Sequence, residues 1–176
     1  AEVAALDTLG TREAGDGFFE SRVLVRFDLA SLTNCWYVVS ADLAVWIESI
    51  DEPFVASLYE TTVPGFVPGT WVEGTGGAAG GVSWNTIDGL VPWNVQGGDT
   101  AGGVIAQATI APGDTAAVFT LPASLVQSWI SIPASNHGVA LRAAYPAPGA
   151  SAVVRMRESG APARRPALSI VYIRYG

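Results

Sequence analysis

Between Trp71 and Asn94 three tryptophans sit inside a glycine-rich stretch. It reads Trp71-Val72-Glu73-Gly74-Thr75-Gly76-Gly77, then Gly81-Val82-Ser83-Trp84-Asn85-Thr86, then Asp88-Gly89 and Pro92-Trp93-Asn94. Each indole has a large apolar surface that must be buried or stacked, while the glycines let the backbone turn sharply or pack closely. A flexible linker has no use for three indoles. The stretch predicts an ordered loop folded onto a β scaffold.

The rest of the chain supplies that scaffold. Arg22–Asp28 alternates, with Val23, Val25 and Phe27 on one face and Arg22, Leu24, Arg26 and Asp28 on the other. Ala41–Glu48 groups Leu43, Val45 and Ile47, with Trp46 opposite. Further short strands are predicted at Phe54–Glu60, Gly103–Ile110, Thr115–Leu121, His137–Arg142, Ala152–Arg157 and Ala167–Arg174. Turn residues separate them, among them Gly15-Asp16-Gly17, Asp51-Glu52-Pro53 and Pro112-Gly113-Asp114. One helix is expected after Leu121-Pro122, where Leu125/Trp129 and Val126/Ile130 are each four apart and form one apolar face. Its polar residues Gln127 and Ser128 are expected to point toward solvent or an end loop. The fold class is therefore all-β: a two-sheet antiparallel β-sandwich, jelly-roll-like, with one short helix. Ala1–Glu20 reads as an N-terminal segment or edge strand, and residues 21–176 as a single sandwich domain.

At 176 residues the chain can bury a full core without disulfides. Charged residues make up 14 % and hydrophobic ones 49 %, apolar for a soluble monomer, yet Gly, Pro or charge interrupts every apolar run. The surplus belongs in a core or in subunit contacts. All nine basic residues are arginine and the net charge is −7, a poor match to phosphate backbones, so nucleic acid is not an expected partner. Most arginines lie in or beside strands, where pairing with carboxylates is the expected role. Cys35 is alone, in the apolar run Cys35–Val39, and reads as a buried inert thiol. A chain that begins at Ala1 suits a processed, exported protein.

Several segments, taken in order, resemble the DNRLRE domains, secreted β-sandwich modules that include disaggregatase-related domains and modules classed as carbohydrate-binding. They are Val23–Leu29, Ser40–Val45, Trp71–Thr75 with Trp84–Thr86, Asp88-Gly89, Gly97-Gly98-Asp99, Leu125–Trp129, Asn136–Arg142, and Arg157-Glu158 with Arg165–Leu168. The resemblance covers roughly residues 20 to 175 and implies a sandwich in which Trp71, Trp84 and Trp129 are the loop-anchoring residues. It also implies an opening strand and an Asn-Tyr-Gly turn that this chain lacks. Either Glu2–Thr8 rebuilds that strand or the sheet keeps an open edge, with Val3, Ala5 and Leu6 as the residues that would meet a neighbour.

Catalytic chemistry finds little footing. His137 stands alone before a strand, and no nucleophile elbow, zinc-binding histidine pair or phosphate loop occurs. One Cys and one His exclude a Cys/His metal site. No cofactor is expected beyond a candidate structural calcium at Glu73, Asn85, Asp88 and Asp99, residues that serve equally as turn caps. Phe66, Trp93 and Tyr145 are candidate glycan contacts, since sugars pack on exposed rings. The leading expectation is a non-catalytic structural subunit of an extracellular or particle-surface assembly (filament, coat or decoration layer), with copies of itself or other surface proteins as partners. The alternative is a secreted carbohydrate-binding module recognising a polysaccharide. An enzyme ranks below both. Cell surface, extracellular space or virus particle are the expected locations.

Overall fold

The computed structural model describes residues 2–14, 17–32, 36–63, 71, 81–144, 150–156 and 160–174. Nine strands and a helix follow in chain order: β1 (Glu2–Ala14), β2 (Gly17–Arg26), β3 (Trp36–Ile50), β4 (Phe54–Thr61), β5 (Thr100–Ile110), β6 (Ala116–Leu121), α1 (Ala123–Ser131), β7 (Val139–Ala144), β8 (Ser151–Val154) and β9 (Ala167–Arg174). All pairings among them are antiparallel. They make an all-β sandwich with a short helix. The wide sheet runs β5-β4-β7-β2-β1-β8-β3, and the narrow one β9-β3-β6.

β3 belongs to both sheets. Its residues Trp36–Trp46 pair with β9 and β6, and Ile47–Ile50 pair with β8. Ala41, Leu43, Val45 and Ile47 alternate into the core, as the period of a strand requires. Val38 is buried too, although it lies three residues from Ala41. A register irregularity between Val38 and Ser40 accounts for this, because a bulge resets which face successive side chains occupy. The backbone N–H of Val38 donates to Gln127 Oε1 of α1 at 2.8 Å. Gln127 therefore does not simply point to solvent as expected, but satisfies main chain beside the bulge. Ser128 turns back on its own helix, donating to the Leu125 carbonyl.

The main core lies between the sheets and draws on every part of the chain: Val23 and Val25 from β2, Leu43 and Val45 from β3, Leu58 from β4 and Phe119 from β6 are all fully buried. Val126, Trp129 and Ile130 of α1 close into the same core, the face the four-residue spacing predicted. Each of the eight expected strands has its counterpart.

The N-terminal expectation is corrected. Val3, Ala5 and Leu6 belong to a 13-residue strand, not a brief one. That strand lies inside the wide sheet, paired with β2 through Glu2–Ala5 and Gly10–Ala14 and with β8 through Thr8–Gly10. Val3 and Ala5 stand opposite Val25 and Val23, so their main chain is engaged within the molecule rather than left as an edge. Nor does a boundary fall near residue 20, since β2 runs through it.

Candidate functional site

β2 and β7 are buried on both faces. Toward the narrow sheet they present Val23, Val25, Val139 and Leu141, while outward Leu24 pairs in register with Ala140. On that outward apolar spot sits the tryptophan loop. Trp71, Ile87 and Trp93 join Leu24 and Ala140 in a second buried cluster, with Val63, Val82 and Val91 packed around it. The Trp71 side chain is 0 % exposed, and its indole N–H donates to the His137 carbonyl at 2.7 Å. Trp93 is 5 % exposed, with its indole N–H on the Ser83 carbonyl at 3.0 Å. Both rings thereby bury their apolar surface and satisfy their one donor.

Arginines frame this second core. Arg22 and Arg142 are cross-strand neighbours. Arg22 lies over the Trp84 ring at 5.1 Å, Arg142 over Tyr59 at 4.7 Å and Arg26 over Trp71 at 5.7 Å. Arg22 and Arg142 both donate to the Gly98 carbonyl, at 3.4 and 3.3 Å, which ties the end of the loop to the sheet. Structural pairing with carboxylates, the expected role, is seen at Arg155, whose Nη2 lies 3.2 Å from Glu48 Oε1. The stacking of the other three on aromatic faces was not legible from the chain.

Gly97 explains one of the loop's glycines. It adopts φ +82°, and a Cβ there would come within 2.7 Å of the Trp84 ring. Trp84 itself is half-buried, held between Arg22 and this glycine rather than sunk into the core. Trp129 is corrected as a loop anchor: it packs from α1 into the main core and is not among the residues of the loop cluster.

The calcium candidates are otherwise employed. Asp99, buried, accepts from the Asn94 and Val95 backbone N–H groups and from Asn94 Nδ2. Asp88 Oδ1 accepts from the Leu90 and Val91 N–H groups, and the hydrogen bond from Val91, ahead of that from Leu90, is the largest influence holding its carboxyl below the usual range. Asn85 Oδ1 accepts from Gln96 Nε2. Among the described residues no three His, Cys, Asp or Glu side chains are grouped as a metal would need. These side chains cap turns, and Glu73 lies outside the described residues.

Of the glycan candidates, Trp93 is corrected: a ring buried against the sheet offers no face to a sugar. Phe66 and Tyr145 lie outside the described residues. His137, half-buried just before β7, is pushed below its ordinary range by burial first and by the Arg26 guanidinium second, against an opposing pull from Glu60. Its carbonyl anchors Trp71, so its contribution here is positional.

A different surface stands open. On the outer face of the narrow sheet Tyr37 and Ile173 face each other across β3 and β9, Val171 stands opposite Ser40, and Val39 falls at the register irregularity beside it. Val118 lies further along, beyond the hydrogen bond from Thr120 to Asp42. All five are between 48 and 58 % exposed. β9 pairs with β3 on one side, and no described strand pairs with its other side.

No protein-family model and no curated protein matches the chain. The likeness to DNRLRE domains therefore rests on the residues that carry it. No helix among the described residues is long and apolar enough to cross a membrane.

Proposed function

We propose that this chain is a non-catalytic structural subunit that assembles into an extracellular or particle-surface structure. The observation that carries the reading is the outer face of the narrow sheet. Half-exposed Tyr37 and Val39 on β3 lie beside half-exposed Val171 and Ile173 on β9, and no described strand pairs with the other side of β9. Isolated exposed apolar side chains are ordinary, but a contiguous group at a sheet edge is the usual signature of a contact surface. Asp88 and Asp99 of the tryptophan loop accept main-chain N–H groups at turns, which suits a rigid building block better than a reaction centre.

The test is native mass in solution. The purified protein is expected to sediment as assemblies whose size rises with concentration. The double variant Val171→Glu/Ile173→Glu, placing charge on two exposed positions, should shift that distribution toward smaller species without unfolding the sandwich. A wild-type protein that stays monomeric at high concentration and is retarded in polysaccharide gels would replace this reading with carbohydrate binding.

A further inference from the structure

We infer that β9 pairs antiparallel with the β9 of a second copy, about a two-fold axis at Tyr172, so that two narrow sheets become one. This deepens the assembly reading above and rests on it.

Three strands end the described sheets, β5, β6 and β9, and they are not equally guarded. β5 carries Gly102 and Gly103 where its register with β4 shifts, with Gly102 at φ +59°, so its edge is interrupted. β6 is short, at six residues. β9 runs for eight, and Ala167–Ile173 holds no charge, proline or glycine. The irregularity in its pairing with β3 falls on β3, since Val38 and Ser40 stand opposite the adjacent Tyr172 and Val171. β9 is thus the long, regular, uncharged kind of edge that invites a further strand.

Exposure shows what sort of partner fits. Val171, Tyr172 and Ile173 are consecutive, so their side chains alternate between the two faces of the sheet. Ile173 stands opposite outward-facing Tyr37, and Tyr172 opposite Val38, which is buried in the core. All three are nevertheless 43 to 58 % exposed. A partner laid on the outer face would cover Val171 and Ile173 and miss Tyr172. A strand added alongside brings side chains to both faces at once.

The same three residues select the strand. In a two-fold antiparallel pair centred on Tyr172, the two Tyr172 side chains stand opposite each other. Val171 of each copy then meets Ile173 of the other on the outer face, so each exposed apolar side chain of the edge faces another. Arg174 falls opposite Ile170 of the other copy. The two Arg174 residues lie about 14 Å apart, beyond the screening length of about 8 Å at physiological salt. The outer row from Tyr37 to Ile173 continues into Val171 of the second copy, which joins the two apolar faces into one band. Such a contact is isologous and closes at two copies, so the dimer is the unit from which larger assemblies grow.

The experiment uses the full chain with Cys35→Ser, so that no native thiol interferes. One population carries Val171→Cys and another Ile173→Cys, and the two are mixed and mildly oxidised. Across the axis these two positions are direct partners at about 4.5–5.5 Å, within reach of a disulfide. Two Val171 positions, or two Ile173 positions, are diagonal neighbours about 7–8 Å apart, too far for one. A disulfide-linked heterodimer is therefore expected as the main product of the mixture, with little linkage in either population alone. In the unaltered protein, hydrogen exchange along Ala167–Arg174 should slow as concentration drives association, while β5 stays unchanged. No linkage, or linkage as abundant within each population as between them, would overturn the axis at Tyr172. Assemblies of normal size with no slowing along β9 would overturn strand pairing altogether and leave the assembly reading standing. A protein that stays monomeric at every concentration would remove both.

Discussion

The two faces of β2 and β7 solve the same problem with different materials. Toward the narrow sheet, Val23, Val25, Val139 and Leu141 join a core of aliphatic and aromatic side chains from six other strands and a helix. Outward, Leu24 and Ala140 form a spot of only two residues, covered by a loop. A loop brings polar main chain with it, which must be satisfied as it is buried. Accordingly the outer cluster is made of indoles that donate to carbonyls, arginines that lie on rings and bond Gly98, and an Asp99 that collects three N–H groups. The inner core depends on volume and the outer one on matching donors to acceptors, so the outer should be more sensitive to single polar changes and less able to repack.

The largest effect that would test this contrast is Trp71→Ala. The ring is fully buried and its loss should cost about 3–5 kcal/mol, measured by denaturant unfolding. Trp84→Ala, at a half-buried ring, should cost clearly less. If the two faces fold as one unit, Trp71→Ala lowers the midpoint of the whole transition. If the outer cluster opens by itself, hydrogen exchange should quicken at Ile87 and Trp93 while the Val23 and Val25 amides keep their protection. Equal losses from both tryptophans would remove the distinction drawn between them.

Gly97→Ala probes the same cluster through the backbone. A side chain at φ +82° costs about 1–3 kcal/mol in strain, and the added methyl must also displace the Trp84 ring. The expected result is lower stability together with a change in tryptophan fluorescence. Ala at Gly113, also at positive φ but with open space around it, should show strain without the fluorescence change. Asp99→Ala follows, leaving the Asn94 and Val95 N–H groups without their acceptor at a cost of about 1–3 kcal/mol. Asp99→Asn, which keeps an acceptor oxygen, should recover part of that loss.

What the chain revealed beforehand divides along the same line. Strands such as Arg22–Asp28 and Ala41–Glu48 were legible because alternation reports directly on a half-buried sheet, and α1 because Leu125/Trp129 and Val126/Ile130 repeat at helical spacing. Alternation also placed Leu24 away from Val23, but it names the opposite face without saying what covers it. The burial of Trp71 in a loop folded onto the sheet was expected, but not the Leu24–Ala140 spot that it covers nor the burial of Trp93 there. Trp93 illustrates the limit: its acceptor is the Ser83 carbonyl ten residues earlier, and nothing in Pro92-Trp93-Asn94 tells a buried ring from a presented one. β1 was underestimated because Asp7-Thr8 and Gly10 resemble turn residues, and they fall where its register with β2 breaks. Arginines stacked on rings have no sequence spacing to betray them, since Arg142 and Tyr59 meet across β7 and β4.

The smallest expected effect concerns pH, and it tests the two faces separately because His137 sits at the outer cluster, where its carbonyl holds Trp71. His137 sits where the loop meets the sheet, its carbonyl holding Trp71 and its ring near Arg26 and Glu60. Burial depresses its pKa in the folded state below the ordinary histidine value of about 6.5, Arg26 adds to that, and Glu60 opposes it. The unfolded chain therefore takes up the proton at a higher pH than the folded one. The stability tied to the neutral imidazole is fully present above about pH 6.5 and declines as pH falls through the interval down to the depressed folded value. Thermal unfolding of the wild type should show this decline between neutral and mildly acidic pH, and His137→Gln should flatten it. Hydrogen exchange at pH 5 against pH 7.5 should locate the loss at Ile87 and Trp93, with Leu43 and Phe119 unchanged until global unfolding. A decline of the same size in His137→Gln would assign it to other groups, and a loss spread evenly over both faces would mean that the outer cluster does not open separately from the core beneath it.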